Sequence, residues 1–297
     1  MELSCRSYLS LEQEEVCEVS GMNKVIGIAA IGAVLIFAAK AFTGGIPWIE
    51  TMANAKSLNV QRTKVMTSNS VSPVVVELFT SEGCSSCPPA DRVLSSLRGD
   101  KSLGKAGVII LSEHVDYWNR LGWRDRWSDS KFSERQSEYA NRLHLDSVYT
   151  PQMVVDGQAE FVGSDSRRAA DTIANAAKSA KVGVTLEAAD AANGQVSLKA
   201  HVDRLPAGAE PADVIVAVTE DGLQSHVTSG ENSGNTLVHN GVVHTLDSIG
   251  QVKGASSFDG KTLVKLGSDW HRNKLTAVAF VQFRQSRKII GAAAVPL

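Results

Sequence analysis

Two cysteines separated by two residues are the side chains of this chain whose types and spacing most clearly indicate chemistry. Cys84 and Cys87 follow an apolar run, Val74 to Phe79, that reads as a buried strand, and they precede a segment with helical periodicity. A Cys-x-x-Cys pair at such a turn can close a small disulfide ring. We expect Cys84 at the helix N-terminus, where unpaired N–H groups and the helix dipole favour the thiolate. The spacing therefore indicates thiol–disulfide chemistry.

The two prolines after the pair, Pro88 and Pro89, fit the first turn of that helix, where no intrahelical N–H bond is lost. A Cys-x-x-Cys pair also forms half of many zinc sites, so other cysteines decide between the two chemistries. The remaining cysteines, Cys5 and Cys17, lie far upstream and form no second Cys-x-x-Cys. A structural zinc site with four cysteine ligands is therefore not expected.

A proline opens a second apolar strand further along the chain. Pro151 precedes a run that ends in Asp156-Gly157, a typical hairpin turn. Between residue 72 and about residue 181 the pattern predicts strand, Cys-x-x-Cys, helix, strand, a polar and partly helical insert, the Pro151 strand, a hairpin partner at residues 159–162 and a helix at residues 165–181.

This order resembles a thioredoxin fold. Three motifs are similar to those of a family of exported thioredoxin-like proteins of unknown function, with a likeness from residue 72 to the C-terminus: Gly83-Cys84-Ser85-Ser86-Cys87-Pro88-Pro89-Ala90-Asp91, Glu113-His114-Val115-Asp116-Tyr117-Trp118 and Tyr149-Thr150-Pro151-Gln152. The resemblance implies a cis Thr150–Pro151 bond that faces the cysteine pair, so that the preceding backbone binds a substrate polypeptide as a short extra strand.

The resemblance also implies a buried acidic side chain on the first strand, which relays a proton to the second thiol. Glu77 is the candidate, and the alternative is a solvent-facing strand residue. Glu82 is expected to be exposed, where like-charge repulsion would raise the pKa of the Cys84 thiol. Gly83 stands where thioredoxins usually have Trp, which predicts a more open loop.

The insert begins with His114 and Asp116, which follow a strand whose end should share an edge with the cysteine turn. They are candidates for acid–base helpers on the active-site rim, or alternatively for a structural network. If His114 instead joins Cys84 and Cys87, two thiolates and an imidazole suit copper or zinc, as in thioredoxin-like copper chaperones. Three tryptophans of the insert either cover the sheet or form an apolar platform for a partner polypeptide: Trp118, Trp123 and Trp127.

Composition limits the classes of function. The chain has 297 residues, of which 43% are hydrophobic and 21% charged, and this is ordinary for a globular protein. Its net charge is −2, and no basic stripe is present. Nucleic-acid binding is therefore not expected, and neither is a cofactor.

The N-terminal extension, residues 1–71, contains an uninterrupted apolar run at residues 25–39. Its length suits a signal peptide, and an uncleaved membrane anchor at residues 25–42 is the alternative. Met22 would make a more natural start than Met1, because the first residues are acidic. We therefore expect an exported protein, periplasmic or otherwise extracytoplasmic.

Residues 182–297 change to short alternating strands with turn signals such as Asn193-Gly194, which predicts an antiparallel β-sandwich domain after a thioredoxin-like domain at residues 72–181. A Ser, Gly and Asn-rich stretch, residues 228–236, is expected to be a loop or hairpin tip. The segment's histidines match no ligand spacing and are expected to be scattered: His201, His226, His239, His244 and His271.

Three functions follow. In the first, an extracytoplasmic thiol–disulfide oxidoreductase, Cys84 attacks a protein disulfide, Cys87 resolves the mixed disulfide, and Thr150 and Pro151 hold the substrate backbone. Its partners would be a protein substrate and a redox partner that the sequence does not identify. The alternatives are a copper carrier using Cys84, Cys87 and His114, and a non-catalytic binding protein in which the Cys84–Cys87 bond is a permanent staple.

Overall fold

A computed structural model describes residues 64–67, 73–99 and 107–297 of the chain. They belong to one compact unit that runs from Asn59 to Leu297. The apolar run at residues 25–39 and the two candidate start sites lie outside the described residues. No helix in the described part of the chain is long and apolar enough to cross a membrane.

The three α-helices of the described residues lie among the strands up to residue 176, and nine strands follow thereafter. The helices are α1 (Cys87–Leu97), α2 (Ser130–Leu143) and α3 (Ser166–Ala176). The strands are β1 (Lys64–Thr67), β2 (Val74–Thr80), β3 (Val108–His114), β4 (Gln152–Val155), β5 (Ala159–Val162), β6 (Val184–Ala191), β7 (Gln195–Val202), β8 (Ala212–Glu220), β9 (Leu223–His226), β10 (Thr236–His239), β11 (Val242–Val252), β12 (Phe258–Lys265), β13 (Leu275–Phe283) and β14 (Ile289–Pro296).

The central sheet has eight strands in the order β14-β13-β8-β11-β3-β2-β4-β5. Strand β2 lies in the middle of the N-terminal part, parallel to β3 and antiparallel to β4. Every residue of β2 is buried, as expected for a strand that is covered on both faces. The β4–β5 hairpin turns at Asp156 and Gly157, whose φ angles of 46° and 67° are positive as the predicted Asp-Gly turn requires.

The two faces of β2 pack against different helices, because successive side chains of a strand point to opposite sides. Val76 and Leu78 belong to the cluster that contains the buried residues of α1 and α3. Val75 and Phe79 belong to the cluster that contains residues of α2. The odd-numbered residue between them, Glu77, therefore faces α2.

Strands of the C-terminal segment extend the same central sheet. Strand β11 joins it through a single parallel pairing, Val242 with Ser112 of β3, and β8, β13 and β14 follow. A second sheet, in the order β1-β6-β7-β12, shares one apolar core with β8, β13 and β14. The central sheet thus crosses the boundary that the sequence places between residues 181 and 182, and only its C-terminal part is covered by the second sheet.

Several elements differ from the sequence-based expectations. Strand β1 lies in the N-terminal extension, and the helix expected at residues 165–181 ends at Ala176. The sequence predicts one strand over residues 237–246, but a turn at Asn240-Gly241 divides this stretch into β10 and β11. The sequence predicts no strand at the positions of β9 and β12, since β9 has four largely polar residues and β12 has Gly260 in its interior.

A buried ion pair connects β2 to α2 on the inner face of the central sheet. Arg135 of α2 lies 2.6 Å from Oε1 of Glu77, and the hydroxyl of Tyr139 donates to Oε2 at 2.5 Å. Arg135 also donates to the side chain of Gln282 on β13 at 3.0 Å. The pair thus joins the N-terminal and C-terminal parts of the sheet.

A second carboxyl group lies beside this pair. The side chain of Glu113 is fully buried, 3.6 Å from Arg135, and neither of its oxygens has a hydrogen-bond partner in the described part of the chain. Burial and the neighbouring Glu77 raise the pKa of Glu113 well above its usual value, although Arg135 opposes the shift. Its surroundings therefore favour the neutral form of Glu113, and the short contacts of Arg135 are made to Glu77.

The two glutamates should respond differently to the same substitution. Glu77→Gln leaves Arg135 buried without its carboxylate. This variant should lose about 3 kcal/mol of the free energy of unfolding, the lower end of the range for a broken buried ion pair, because Glu113 can ionise and replace Glu77. Glu113→Gln should cost less than about 1 kcal/mol near pH 7, since the raised pKa of Glu113 favours its neutral form and its oxygens have no hydrogen-bond partner in the described part of the chain. Urea unfolding of both variants measures the difference, and equal losses would show that the two carboxyl groups share the charge.

Candidate active site around the Cys84–Cys87 disulfide

Cys84 and Cys87 are joined by a disulfide in the turn between β2 and α1, with 5.4 Å between their Cα atoms. Helix α1 begins at Cys87 with Ser86 as its N-cap, so Cys84 lies two residues before the cap rather than at the helix terminus itself. The two prolines occupy the first turn, as the sequence predicts. The N–H of Cys87 donates to the carbonyl of Cys84 at 3.2 Å, and this closes the turn.

Trp118 occupies the space beside the turn. A Cβ added to Gly83 would lie 3.1 Å from the Cβ of Trp118, and the indole N–H of Trp118 donates to Oγ1 of Thr150 at 2.8 Å. The prediction of a more open loop is therefore wrong. Trp118, from the insert, takes the place of the tryptophan that is absent at position 83. It joins the cysteine turn to Thr150, the residue before Pro151.

The Thr150–Pro151 peptide bond is cis, as the resemblance implied. Pro151 is buried, and its carbonyl accepts a hydrogen bond from the N–H of Gly163 at 3.0 Å. A Cβ added to Gly163 would lie 3.1 Å from the Cβ of Ala90 and 3.6 Å from that of Pro151. Pro151 therefore packs beside the first turns of the helix that carries Cys87.

Glu82 is fully buried, so the expectation that it is exposed is wrong. Its Oε2 accepts from the indole N–H of Trp123 at 2.7 Å, and its Oε1 lies 3.4 Å from Nε2 of His239. Its backbone N–H donates to Asp125 at 2.9 Å. Trp123 and His239 come from distant parts of the chain, and no local pattern indicates that they cover this position.

His114 and Asp125 form a buried pair beneath the turn, with 2.7 Å between Nδ1 and Oδ2. Burial lowers the pKa of His114, but the attraction and hydrogen bond of Asp125 and the nearby Asp91 and Glu82 outweigh this effect and raise it. Burial raises the pKa of Asp125, but His114 and backbone N–H groups outweigh this effect and lower it. The pair is therefore ionic.

Asp91 lies one helical turn after Cys87 on α1 and is also buried. Its Oδ1 accepts from the hydroxyl of Thr80 at 3.0 Å, and its Oδ2 lies 3.8 Å from Nδ1 of His239. Burial raises the pKa of Asp91, although His239 and His114 oppose the shift. Sequence reasoning missed Asp91 and His239. The helical periodicity predicts a polar, exposed position for Asp91, and the spacing of His239 matches no ligand pattern.

A loop from the C-terminal segment covers the disulfide. This covering loop, residues 227–235, connects β9 to β10. The side-chain amide of Asn232 donates to the carbonyl of Glu82 at 2.8 Å and to that of Cys84 at 3.0 Å, while the N–H of Ser85 donates to Glu231 at 3.2 Å. Both cysteines are 0% exposed as a result.

The structure brings together only some of the predicted site residues. Glu77 is buried, but it lies on the face of β2 opposite to α1 and is held by Arg135. Asp116 accepts from the hydroxyl of Ser133 on α2 at 2.6 Å and does not bond to His114. Cys84 and Cys87 form the disulfide, and Glu82 lies in the same turn. Thr150 is joined to that turn through Trp118, Pro151 lies beside Gly163 and α1, and His114 pairs with Asp125.

The alternative metal ligands are engaged elsewhere. Cys84 and Cys87 are bonded to each other, and Nδ1 of His114 is bonded to Asp125. In the described ranges, no group of three or more His, Cys, Asp or Glu side chains is arranged to hold a metal ion. His244 and His271 share one partner, since both bond to the carboxylate of Glu220, at 2.8 and 2.6 Å.

The ionic pair predicts a defined pH dependence of stability. The raised pKa of His114 means that its contribution is complete below about pH 6.5 and is lost as the pH rises through the folded-state value. The lowered pKa of Asp125 means that its contribution is present above about pH 4 and is lost on acidification. His114→Gln should therefore lower the free energy of unfolding more at pH 5.5 than at pH 8.5, as measured by urea titration.

His244 provides a control with the opposite sign. Burial lowers its pKa, and this outweighs the hydrogen bond to Glu220. The wild-type protein should therefore exceed His244→Gln in stability by more at pH 8.5 than at pH 5.5. The same trend in both variants would contradict the assignment of charge to His114.

Solved structures of similar fold include two from bacteria. A protein of Agrobacterium tumefaciens is 28% identical, with a TM-score of 0.57 over 77% of this chain and 96% of its own. HBP35 of Porphyromonas gingivalis is 16% identical, with a TM-score of 0.56 over 76% of each chain. A domain of the Porphyromonas gingivalis outer membrane lipoprotein Omp28 aligns over 40% of this chain with a TM-score of 0.25, too low to indicate a common fold.

No curated protein is significantly similar to this chain. The model of a protein family of unknown function, DUF1223, matches residues 75–282, which include the cysteine turn, Pro151 and the covering loop. The chain therefore belongs to the DUF1223 family.

Proposed function

We propose that this protein is an extracytoplasmic thiol–disulfide oxidoreductase that acts on protein thiols through Cys84 and Cys87. The observation that carries the proposal is the Cys84–Cys87 disulfide in the turn between a buried parallel strand and α1. Pro151 packs beside the same helix, and Thr150 is tied to the turn through Trp118. A small disulfide ring in a turn, with an adjacent backbone that can hold a polypeptide, is the combination that thiol–disulfide exchange with a protein substrate uses.

The strand order supports a thioredoxin-like assignment for residues 72–181. The order β3-β2-β4-β5, with β2 parallel to β3 and β4 antiparallel to β2, is the pattern that this fold requires. Helices α1 and α3 on one face and α2 on the other agree with it. The stacking of the second sheet on β8, β13 and β14 supports a β-sandwich for residues 182–297, with residues 1–71 as the N-terminal extension.

The proposed reaction exchanges one disulfide for another. In the reduced protein, the Cys84 thiolate attacks a substrate disulfide, whose sulfur–sulfur bond breaks, and one substrate sulfur leaves as a thiolate. The Cys87 thiolate then attacks the sulfur of Cys84 and releases the second substrate thiolate. The substrate gains two electrons and the protein loses two, as the Cys84–Cys87 bond forms again. The reverse sequence oxidises a substrate dithiol.

Export follows from the same chemistry. A disulfide persists in oxidising compartments and is rare in the cytosol. The apolar run at residues 25–39 would deliver the protein there, and if uncleaved, residues 25–42 would anchor it in the membrane. The redox partner that recycles the pair would then meet the protein outside the cytoplasm.

A second candidate is a non-catalytic binding protein in which the disulfide is a permanent staple. The observation that favours it is the complete burial of both cysteines. A structural disulfide of this kind has a reduction potential below about −300 mV, whereas redox-active pairs of thioredoxin-like proteins lie between roughly −270 and −120 mV. The two functions therefore predict different potentials.

The first experiment measures the reduction potential of the pair in glutathione buffers of defined ratio, with metal ions chelated. A reversible couple between roughly −270 and −120 mV is expected. Its value would distinguish an oxidant from a reductant. A pair that stays oxidised in every buffer, although the protein is folded, would favour the staple.

The second experiment compares Cys87→Ser with Cys84→Ser. With Cys87 removed, the free Cys84 thiol should react with glutathione disulfide to form a mixed disulfide that cannot be resolved, and mass spectrometry should detect one glutathione per chain. Cys84→Ser should react at least tenfold more slowly, because the hydroxyl of Ser86, 3.4 Å from Sγ of Cys84, can donate to the Cys84 thiolate and stabilise it. Equal adducts on both variants would contradict the role of Cys84 as the attacking thiol, and no adduct on either, even with Asn232 replaced by alanine, would contradict the proposed function.

A further inference from the structure

The covering loop forms three hydrogen bonds with the backbone of the cysteine turn. The carbonyls of Glu82 and Cys84 each accept from the amide of Asn232, and the N–H of Ser85 donates to the carboxylate of Glu231. Two acceptors and one donor on one stretch of backbone are thus occupied by one loop. Of residues 228–235, only Asn232 is buried, so a single side chain makes the buried contact with the backbone of the turn.

These backbone groups suit a polypeptide. An extended chain presents N–H donors and C=O acceptors along one edge, and it can bond to the backbone of another protein as an added strand. A buried carbonyl that loses its partner costs free energy unless another donor replaces it. A polypeptide that displaces Asn232 can supply backbone N–H donors to these two carbonyls in its place.

One exposed apolar side chain lies beside the covering loop. Leu121 is half exposed and precedes Gly122, whose carbonyl accepts from Ser229 of the covering loop at 2.6 Å. A Cβ added to Gly230 of the loop would lie 3.5 Å from the carbonyl oxygen of Leu121. An exposed apolar group beside polar backbone favours an extended, partly apolar polypeptide.

The covering loop can also move away from the cysteine turn without disrupting the larger sheets. Strands β9 and β10 form a two-stranded sheet of their own, separate from the eight-stranded and four-stranded sheets. Isolated two-stranded hairpins are only marginally stable in water. The tip therefore depends on its contacts with the cysteine turn and with the insert.

We propose that the backbone from Glu82 to Ser85, next to Thr150 and Pro151, is a binding site for an extended and partly apolar polypeptide segment, and that the covering loop is its internal occupant in a closed form. This inference rests on the proposed function and names the substrate class of the same site. A substrate polypeptide takes the positions of Asn232 and Glu231 when the loop moves away, and Cys84 then becomes accessible. The closed form protects the disulfide from small thiols.

The test uses Asn232→Ala in the full chain, with Asn235→Ala as the matched control, since Asn235 is an exposed asparagine of the same loop. Dithiothreitol should reduce the disulfide of Asn232→Ala about tenfold faster than that of the wild type, because two hydrogen bonds of the closed form are lost. The control should react at the wild-type rate. If Asn232→Ala does not fold, as judged by circular dichroism, Glu231→Ala removes only the exposed contact and should give a smaller acceleration, about threefold.

A second measurement tests the site itself without redox chemistry. Reduced, carboxymethylated α-lactalbumin is permanently unfolded and has no free thiols, and it should bind Asn232→Ala about tenfold more tightly than it binds the wild type or Asn235→Ala. Leu121→Asp in the Asn232→Ala background should weaken that binding. Faster reduction without tighter binding would show a mere cover and overturn the inference, as would equal reduction rates in all variants.

The two proposals fail in distinguishable ways. The proposed function fails if Cys87→Ser forms no mixed disulfide, even in the Asn232→Ala background, where the loop no longer restricts access. The inference fails if the mixed disulfide forms but the loop variants change neither the reduction rate nor the binding of the unfolded protein.

Discussion

The burial of ionisable groups beneath the cysteine turn is the constraint on which the rest of the site depends. Glu82, Asp91, His114, Asp125 and His239 come from separate parts of the chain and are all buried. Charges removed from water are tolerated only when they pair or when a proton neutralises them. His114 and Asp125 pair as ions, and the raised pKa of Asp91 keeps that carboxyl group closer to neutral. The requirement for pairing fixes the positions of α1, β3, the insert and β10 relative to one another.

The same requirement explains why the C-terminal segment belongs to the site. His239 of β10 lies between Glu82 and Asp91, at 3.4 and 3.8 Å, and its ring contacts those of His114 and Trp127. The hairpin that ends at His239 also carries the covering loop. The C-terminal segment is therefore not an appendage that only orients the N-terminal part, because it supplies both an ionisable group of the buried cluster and the loop that bonds to the cysteine turn.

Sequence predicted the local elements well where a short-range physical signal exists. Three features indicate their local structure within a few residues: the apolar run of β2, the prolines of α1 and the Asp156-Gly157 turn. The cis Thr150–Pro151 bond was predicted from the resemblance to thioredoxins, not from spacing. The arrangement of the sheets could not be predicted, because β11 joins β3 through residues 130 positions apart, Ser112 and Val242, and no local pattern encodes that pairing.

Side-chain burial at the site was harder to predict for the same reason. Glu82 is a glutamate in a turn, and such residues are normally exposed. It is buried only because Trp123 and His239 converge on it from outside the local sequence. Gly83 likewise suggested an open loop, whereas Trp118 packs against it. In both cases the missing information was a long-range contact.

The type of contact that covers the disulfide favours a removable cover over a permanent one. Apolar side chains cover a structural disulfide at the lowest cost in free energy, because they need no hydrogen-bond partners and exclude water without desolvating polar groups. Here the loop reaches the cysteine turn through the amide of Asn232, and the other residues of the loop from 228 to 235 are exposed. Hydrogen bonds of this kind contribute only about 0.5–1.5 kcal/mol each, because water or another polar group can replace them. Two or three such bonds hold the closed form by an amount that an incoming polypeptide, with its own backbone donors and apolar side chains, can offset.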